Sequence, residues 1–121
     1  MRIYIAGPMT GYENYNFPAF DIARDRLKNL GHEPISPADM DRDLGYEPDA
    51  AGAIDNFDYK AAIKRCCVAV CDADAVYLLN GWTASKGARA EKAVAEAIGL
   101  QILYESVGVS GEIKVGLTKA R

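Results

Sequence analysis

The sequence is poor in histidine, tryptophan and basic charge. It has one His and one Trp in 121 residues, and 14 Lys and Arg against 17 Asp and Glu leave a net charge of −3. Nucleic-acid polymers are held by neutralising many phosphates with a basic face, so this balance argues against them as partners. It does not exclude one small phosphorylated ligand, because a single helix N-terminus is enough to hold it. No apolar run approaches the ~20 residues needed to span a bilayer, so no membrane partner is expected. The opening MRIYIAGPM enters a strand pattern directly and lacks the shape of a secretory signal, which gives a cytoplasmic expectation.

Cysteine is also sparse. Cys66, Cys67 and Cys71 fall within one helical stretch, and the lone His32 is remote in sequence. A tetrahedral zinc site lacks its ligands, so no metal is expected, and thiols buried on a helix facing a sheet are the better reading. There is no GxGxxG fingerprint and no Walker lysine, so NAD and ATP are not implied and no cofactor is expected.

Apolar residues are plentiful, at 50% of the chain. That suits one compact domain over residues 1–121. A domain this small is only moderately shielded from water, and a homodimer or higher homo-oligomer would protect it. Arg2 to Ala6 is a short apolar run stopped by Gly7-Pro8, and reads as a buried strand. Phe17 to Leu30 places Phe20, Ile22, Ala23, Leu27 and Leu30 at helical spacing, with Gly31 as its stop. His32 to Ile35 is a second strand. Residues 38–53 show no period, and a loop of that length is usually functional. A helix from about Asp55 to Cys71, capped by Asp55 or Asn56, leads to a third strand at Ala75 to Leu79. Ser85 caps a helix running to Ile98, and Gln101 to Tyr104 is a fourth strand. The tail adds a candidate strand around Ile113 to Val115. Buried strands alternating with helices imply a parallel sheet covered on both faces. The loops after Ala6, Ile35 and Leu79 then emerge at the ligand-binding edge.

The stretch NGWTASKGARAE, Asn80 to Glu91, carries the most chemistry. The Ser85 hydroxyl and the free N–H groups of the helix start form an anion site, backed by the helix dipole and by Lys86 and Arg89. Gly87 lets a ligand approach the backbone. Glu91 can reach from the second turn toward a ligand whose phosphate sits at Ser85. Taken alone, a Glu there is more often a solvated residue paired with a Lys or Arg. Tyr4 on the first strand and the loop Gly7-Pro8-Met9-Thr10-Gly11 suit a base and sugar, although Tyr4 is equally a plain core residue. Trp82 either stacks on a base or lids the core. Tyr12 and Tyr15 suit a ligand cover or a subunit contact.

Three motifs, YIAGPMTG at Tyr4 to Gly11, SPADM at Ser36 to Met40, and DADAVYLLNGWTASKGARAEKAVAEAIGL at Asp72 to Leu100, resemble the nucleoside 2-deoxyribosyltransferase-like superfamily. The similarity is greatest to its small phage and bacterial members and spans Ile3 to about Tyr104. It implies a flavodoxin-like or Rossmann-like three-layer α/β domain with a parallel sheet of four or five strands. It also implies cleavage of an N-glycosidic bond by Glu91 as nucleophile, oriented by Tyr4, with Gly7 and Met9 against the ligand. A Ser at position 85 resembles the nucleoside 5′-monophosphate N-glycosidases. The transferases acting on free nucleosides carry an acid there, which would repel a phosphate. The expected ligand is therefore a (deoxy)nucleoside 5′-monophosphate. The alternatives are a 2′-deoxyribosyltransferase on free nucleosides and a non-catalytic nucleotide-sequestering protein. One departure stands out: the aspartate usual on the helix before the central strand aligns with Cys66. Asp39, Asp41 and Asp43 are candidates to protonate the leaving base, and the sequence does not choose among them.

Overall fold

The computed structural model describes residues 1–46, 48, 57–107 and 113–119. The strands and helices run β1 (Arg2–Ala6), α1 (Phe17–Asn29), β2 (Glu33–Ile35), α2 (Pro37–Asp43), α3 (Tyr59–Cys71), β3 (Ala75–Leu78), α4 (Lys86–Ala97), β4 (Gln101–Val107) and β5 (Ile113–Lys119). Short 3-10 turns at Glu13–Asn16 and Trp82–Ala84 precede α1 and α4. The five strands are ordered β2-β1-β3-β4-β5. β2, β1, β3 and β4 are mutually parallel, which gives the expected flavodoxin-like three-layer α/β fold.

The edge strand departs from the parallel expectation. β5 pairs antiparallel with β4, from Gln101 opposite Lys119 to Val107 opposite Ile113. The link between them, residues 108–112, is too short for a crossover helix, so the chain must return antiparallel. Two elements also differ from the sequence reading. α2 occupies part of the stretch read as irregular; it is seven residues long, too short to display a period, and Pro37 opens it. α3 starts at Tyr59, where the Asp58 side chain accepts the Ala61 N–H at 3.0 Å. The alternative caps Asp55 and Asn56 lie outside the described residues.

Strand alternation divides the core in two. Ile3, Ile5, Ala75, Tyr77 and Leu79 face one way and pack with Phe17, Phe20, Ala23 and Leu27 of α1. Tyr4, Ala6, Val76 and Leu78 face the other way and pack with Val70 of α3 and Ala88 and Ala95 of α4. The period of two therefore puts Tyr4 on the α3–α4 side. The chain leaves β1 toward β2 on one side and returns to β3 on the other. A crevice opens between the carboxyl ends of β1 and β3, the topological switch point where such sheets bind ligands.

Among the described residues, no helix is long and apolar enough to cross a membrane. The cysteines differ from expectation. Cys66 and Cys67 are half-buried and Cys71 is exposed, because α3 turns only part of this stretch toward the sheet.

Candidate active site

A cleft of about 600 Å³ occupies the switch point, a size suited to a small-molecule ligand. Its walls come from four places: the loop after β1 (Gly7 to Thr10, Tyr12, Tyr15), α2 (Pro37, Asp41), the segment entering α3 and α3 itself (Phe57, Tyr59, Ala62, Ile63, Cys66), and the start of α4 (Ala84 to Ala88, Glu91). Of the residues singled out in the sequence, Gly7, Met9, Ser85, Gly87 and Glu91 all meet here.

Glu91 is not a solvated surface residue. It lies on the apolar stripe of α4 with Ala88 and Ala95, the face that packs on the sheet, and is only 5% exposed. The Tyr4 hydroxyl donates to Glu91 Oε2 at 2.8 Å, and Tyr4 is fully buried. Burial pushes the Glu91 carboxyl up to about 7, while hydrogen bonds from Tyr4 and Cys66 pull it back. The carboxyl is thus poised to exchange its proton near neutrality. Burial, and then the Glu91 charge, hold the Tyr4 phenol well above its ordinary value. The same two causes push the Cys66 thiol up to about 12. Cys66 is therefore a neutral donor beside Glu91, where an aspartate would be a second anion.

The start of α4 forms the next part of the wall. Ser85 is extended, and its Oγ accepts the Ala88 N–H at 3.1 Å. No acceptor among the described residues takes the Lys86 or Gly87 N–H, and both residues face the cleft. Those two donors, with the helix dipole, make a positive end. Glu91 lies about 9 Å from Ser85 along the same axis. A Cβ at Gly87 would meet only Ile63 Cδ1, at 3.6 Å, so the fold does not demand glycine there. Gly7 is different: a Cβ would fall 2.8 Å from Leu79 Cβ. Its lack of a side chain lets the end of β1 pass close to the end of β3.

A second buried carboxyl lies on the α2 wall. Asp41 is 5% exposed, with Arg65 of α3 at 3.8 Å. Burial pushes it up to about 6 and outweighs the Arg65 charge. Asp39 instead binds Arg24 at 2.7 Å and Arg42 at 3.2 Å, outside the cleft. Sequence reasoning left these acids equivalent; the spacing from buried Ala38 to Asp41, one turn of a helix, is the signal that separates them once α2 is known. Phe57, Tyr59 and Ile63 were also missed. Phe57 packs edge-on to Tyr59 at 4.9 Å and tilted to Tyr15 at 5.7 Å, which gives the cleft an aromatic flank.

Tyr15 reaches that flank from an unusual turn. Asn14, Tyr15 and Asn16 all have left-handed φ of 51°, 54° and 58°. Non-glycine residues rarely adopt this conformation, and a run of them marks stored strain. Asn16 Nδ2 holds the turn by donating to the Pro8 carbonyl at 2.8 Å.

Some residues fall elsewhere. Trp82 does not line the cleft as a base-stacking residue; it packs against Tyr104 at 6.1 Å, with Lys92 Nζ over its ring at 5.4 Å. The 3-10 turn carries it over the α4–β4 side of the sheet, so it lids the core. Asp74 accepts the Arg2 N–H at 2.8 Å at the opposite, amino edge of the sheet. Asp58 is spent as the α3 cap and does not replace the carboxylate absent at Cys66.

A family model described as a domain of unknown function, DUF4406, matches residues 1–104. No curated protein matches the chain.

Proposed function

The chain belongs to the DUF4406 family, and from its cleft we propose an N-glycosidase that hydrolyses a (deoxy)nucleoside 5′-monophosphate. The observation that carries this reading is the buried pair at the cleft wall, Tyr4 donating to Glu91 at 2.8 Å. A carboxylate that ionises near neutrality is a usable nucleophile toward the anomeric carbon of a sugar, where positive charge develops as the base departs. Tyr4 fixes its orientation. The Lys86 and Gly87 N–H groups, which have no acceptor among the described residues, and the Ser85 hydroxyl suit a 5′-phosphate, with the Lys86 charge nearby. The ~9 Å from Ser85 to Glu91 leaves room for a ribose between phosphate and nucleophile. The motifs quoted above, which resemble the nucleoside 2-deoxyribosyltransferase-like superfamily, support the same chemistry.

The chemistry runs in two steps. Glu91 attacks C1′, the C1′–N bond breaks with its electron pair going to the base, and a glycosyl ester forms. Water then cleaves the ester and releases the sugar phosphate. A transferase acting on free nucleosides shares the first step, but the uncharged Ser85 favours the phosphorylated ligand. The exposed apolar Tyr12, Tyr59 and Ile63 at the cleft favour a subunit contact there, which sedimentation with and without nucleotide tests.

The experiment is incubation with a panel of ribo- and deoxyribonucleoside monophosphates, followed by chromatography for free base and sugar phosphate. Wild type is expected to release base, and Glu91→Gln is not. Recovery of every nucleotide intact would sink the enzymatic reading; tight binding with intact recovery would favour sequestration.

A further inference from the structure

N-glycosidic bonds break slowly unless the departing base is protonated, and Glu91 cannot attack C1′ and donate a proton at the same moment. We infer that Asp41 is the acid that protonates the leaving base while Glu91 attacks the sugar. This rests on the N-glycosidase reading above and deepens it.

The placement comes first. Asp41 and Glu91 line one cleft but come from different sides of it, α2 after β2 and α4 after β3. Cys66 of α3 stands near both, since both charges act on its thiol. Asp41 also acts on the Tyr15 phenol. It therefore adjoins the flank of Tyr15, Phe57 and Tyr59, whose rings suit the face of a base. The phosphate end lies at Ser85, on the same helix as Glu91. A nucleotide laid from Ser85 past Glu91 brings its base to Asp41.

Protonation state sets the working range: with Asp41 near 6 and Glu91 near 7, the form with Asp41 protonated and Glu91 ionised is a minority one that is most populated between those two values. Among the described residues, the groups facing Asp41 are Arg65 and Cys66 from α3 and Tyr15 from the loop after β1. Only Arg65 favours the anion, and burial overrides it to leave the carboxyl near 6. In the first step the Asp41 proton moves to a ring nitrogen as that base takes the C1′–N electron pair. In the second step the Asp41 carboxylate accepts a proton from the attacking water, and both residues return to their starting states.

The test compares two substrates of wild type and Asp41→Asn. One is the nucleoside monophosphate found to be hydrolysed. The other is its analogue carrying 4-nitrophenol in place of the base, a leaving group that departs without protonation. Asp41→Asn is expected to slow natural base release by about 100-fold or more, yet to keep the first-turnover burst of nitrophenol within about fivefold of wild type, since attack by Glu91 on that substrate needs no proton transfer. The falling alkaline limb of the natural reaction should vanish with it. Retained nitrophenol release also demonstrates an intact fold. Should the variant not fold, Asp41→Glu is read the same way, because a displaced acid slows only the natural base. Equal loss on both substrates, or no loss on either, overturns the assignment of Asp41. A wild type that releases neither base nor nitrophenol overturns the glycosidase reading itself.

Discussion

Tyr4 and Glu91 are separated by 87 positions in sequence, yet their side chains meet at 2.8 Å inside the protein. The contact joins the second core strand position to the buried stripe of the helix that follows the central strand. It explains why a carboxyl is kept in an apolar setting: one strong donor fixes it, and the cleft gives it access to ligand. If Glu91 acts as an anion, Tyr4→Phe should push the pH at which it ionises still higher, because a donor that favours the charged form is gone. On the 4-nitrophenyl analogue, whose release needs ionised Glu91 but no acid, the acid limb of the pH–rate profile should move above its starting point near 7. An unmoved limb would mean that Tyr4 acts only through packing.

Glu91 should cost stability at neutral and alkaline pH. Its carboxyl sits at about 7 in the folded chain against an ordinary 4.5. Below 4.5 it is neutral in both folded and unfolded chains, and the fold carries no penalty. As pH rises toward 7, the unfolded chain ionises while the folded one holds its proton, so stability falls and then levels off. The difference amounts to about 3 kcal/mol. Asp41 adds a smaller loss of the same sign between its ordinary 3.8 and about 6. Glu91→Gln should therefore be more stable than wild type by about 2 kcal/mol at pH 8, after allowing for a weakened hydrogen bond. At pH 4 it should show no gain. Urea melts at the two pH values measure this, and an equal effect at both would contradict a buried, proton-retaining carboxyl.

Cys66 offers a related test. Cys66→Asp places a second carboxylate beside Glu91, and two such anions cannot both ionise cheaply. The variant should lose about 2–3 kcal/mol at pH 8 and much less at pH 5, with the acid limb on the 4-nitrophenyl analogue pushed up. Cys66→Ser, a neutral donor of similar size, should retain activity. A Cys66→Asp variant more active than wild type at neutral pH would show that the cleft accepts the extra charge.

The order of the elements was legible because the strands are short apolar runs bounded by Gly and Pro, and the helices show clear stops. The Ser85 cap and the buried face of Tyr4 followed from the same patterns. Other features depend on tertiary placement. α2 is too short for a period, so Asp41 stayed indistinguishable from Asp39 and Asp43 until the helix turned one of them inward. The burial of Glu91 was invisible because an alanine-rich helix such as KGARAEKAVAEA reads as solvated on every side except the one that packs. Trp82 stays open between base and core in the sequence because a local turn says nothing about which way its bulky residue swings; the 3-10 turn sends it to Tyr104.

The two glycines of the cleft should respond differently. Gly7→Ala drives a Cβ to 2.8 Å from Leu79 Cβ and 2.9 Å from Leu79 Cδ1. Overpacking between two central strands should cost about 1–3 kcal/mol. Gly87→Ala meets only Ile63 at 3.6 Å, and in a first helical turn it should leave stability unchanged or raise it by up to about 1 kcal/mol. Its cost should appear in KM, because Gly87 lines the cleft and the methyl group adds bulk at the phosphate end. Thermal melts separate the two variants; a Gly7→Ala protein melting like wild type would mean that the β1 loop relaxes away from Leu79.

Ser85→Asp addresses the ligand without disturbing the helix. Aspartate caps a helix as well as serine does, and its charge suits the α4 dipole. The Ala88 N–H that Ser85 now holds at 3.1 Å keeps an acceptor, so the melting temperature should stay the same or rise. A phosphate at the Lys86 and Gly87 N–H groups would then face a fixed anion in place of a hydroxyl. Affinity for a nucleoside monophosphate should drop by about 10–100-fold, the loss of one or two charge-assisted contacts plus repulsion. The unphosphorylated nucleoside should bind as before. Calorimetric titration of both ligands against both proteins gives the answer. If the variant binds the monophosphate as tightly as wild type, the 5′ group lies away from α4, and the ligand must be turned around in the cleft.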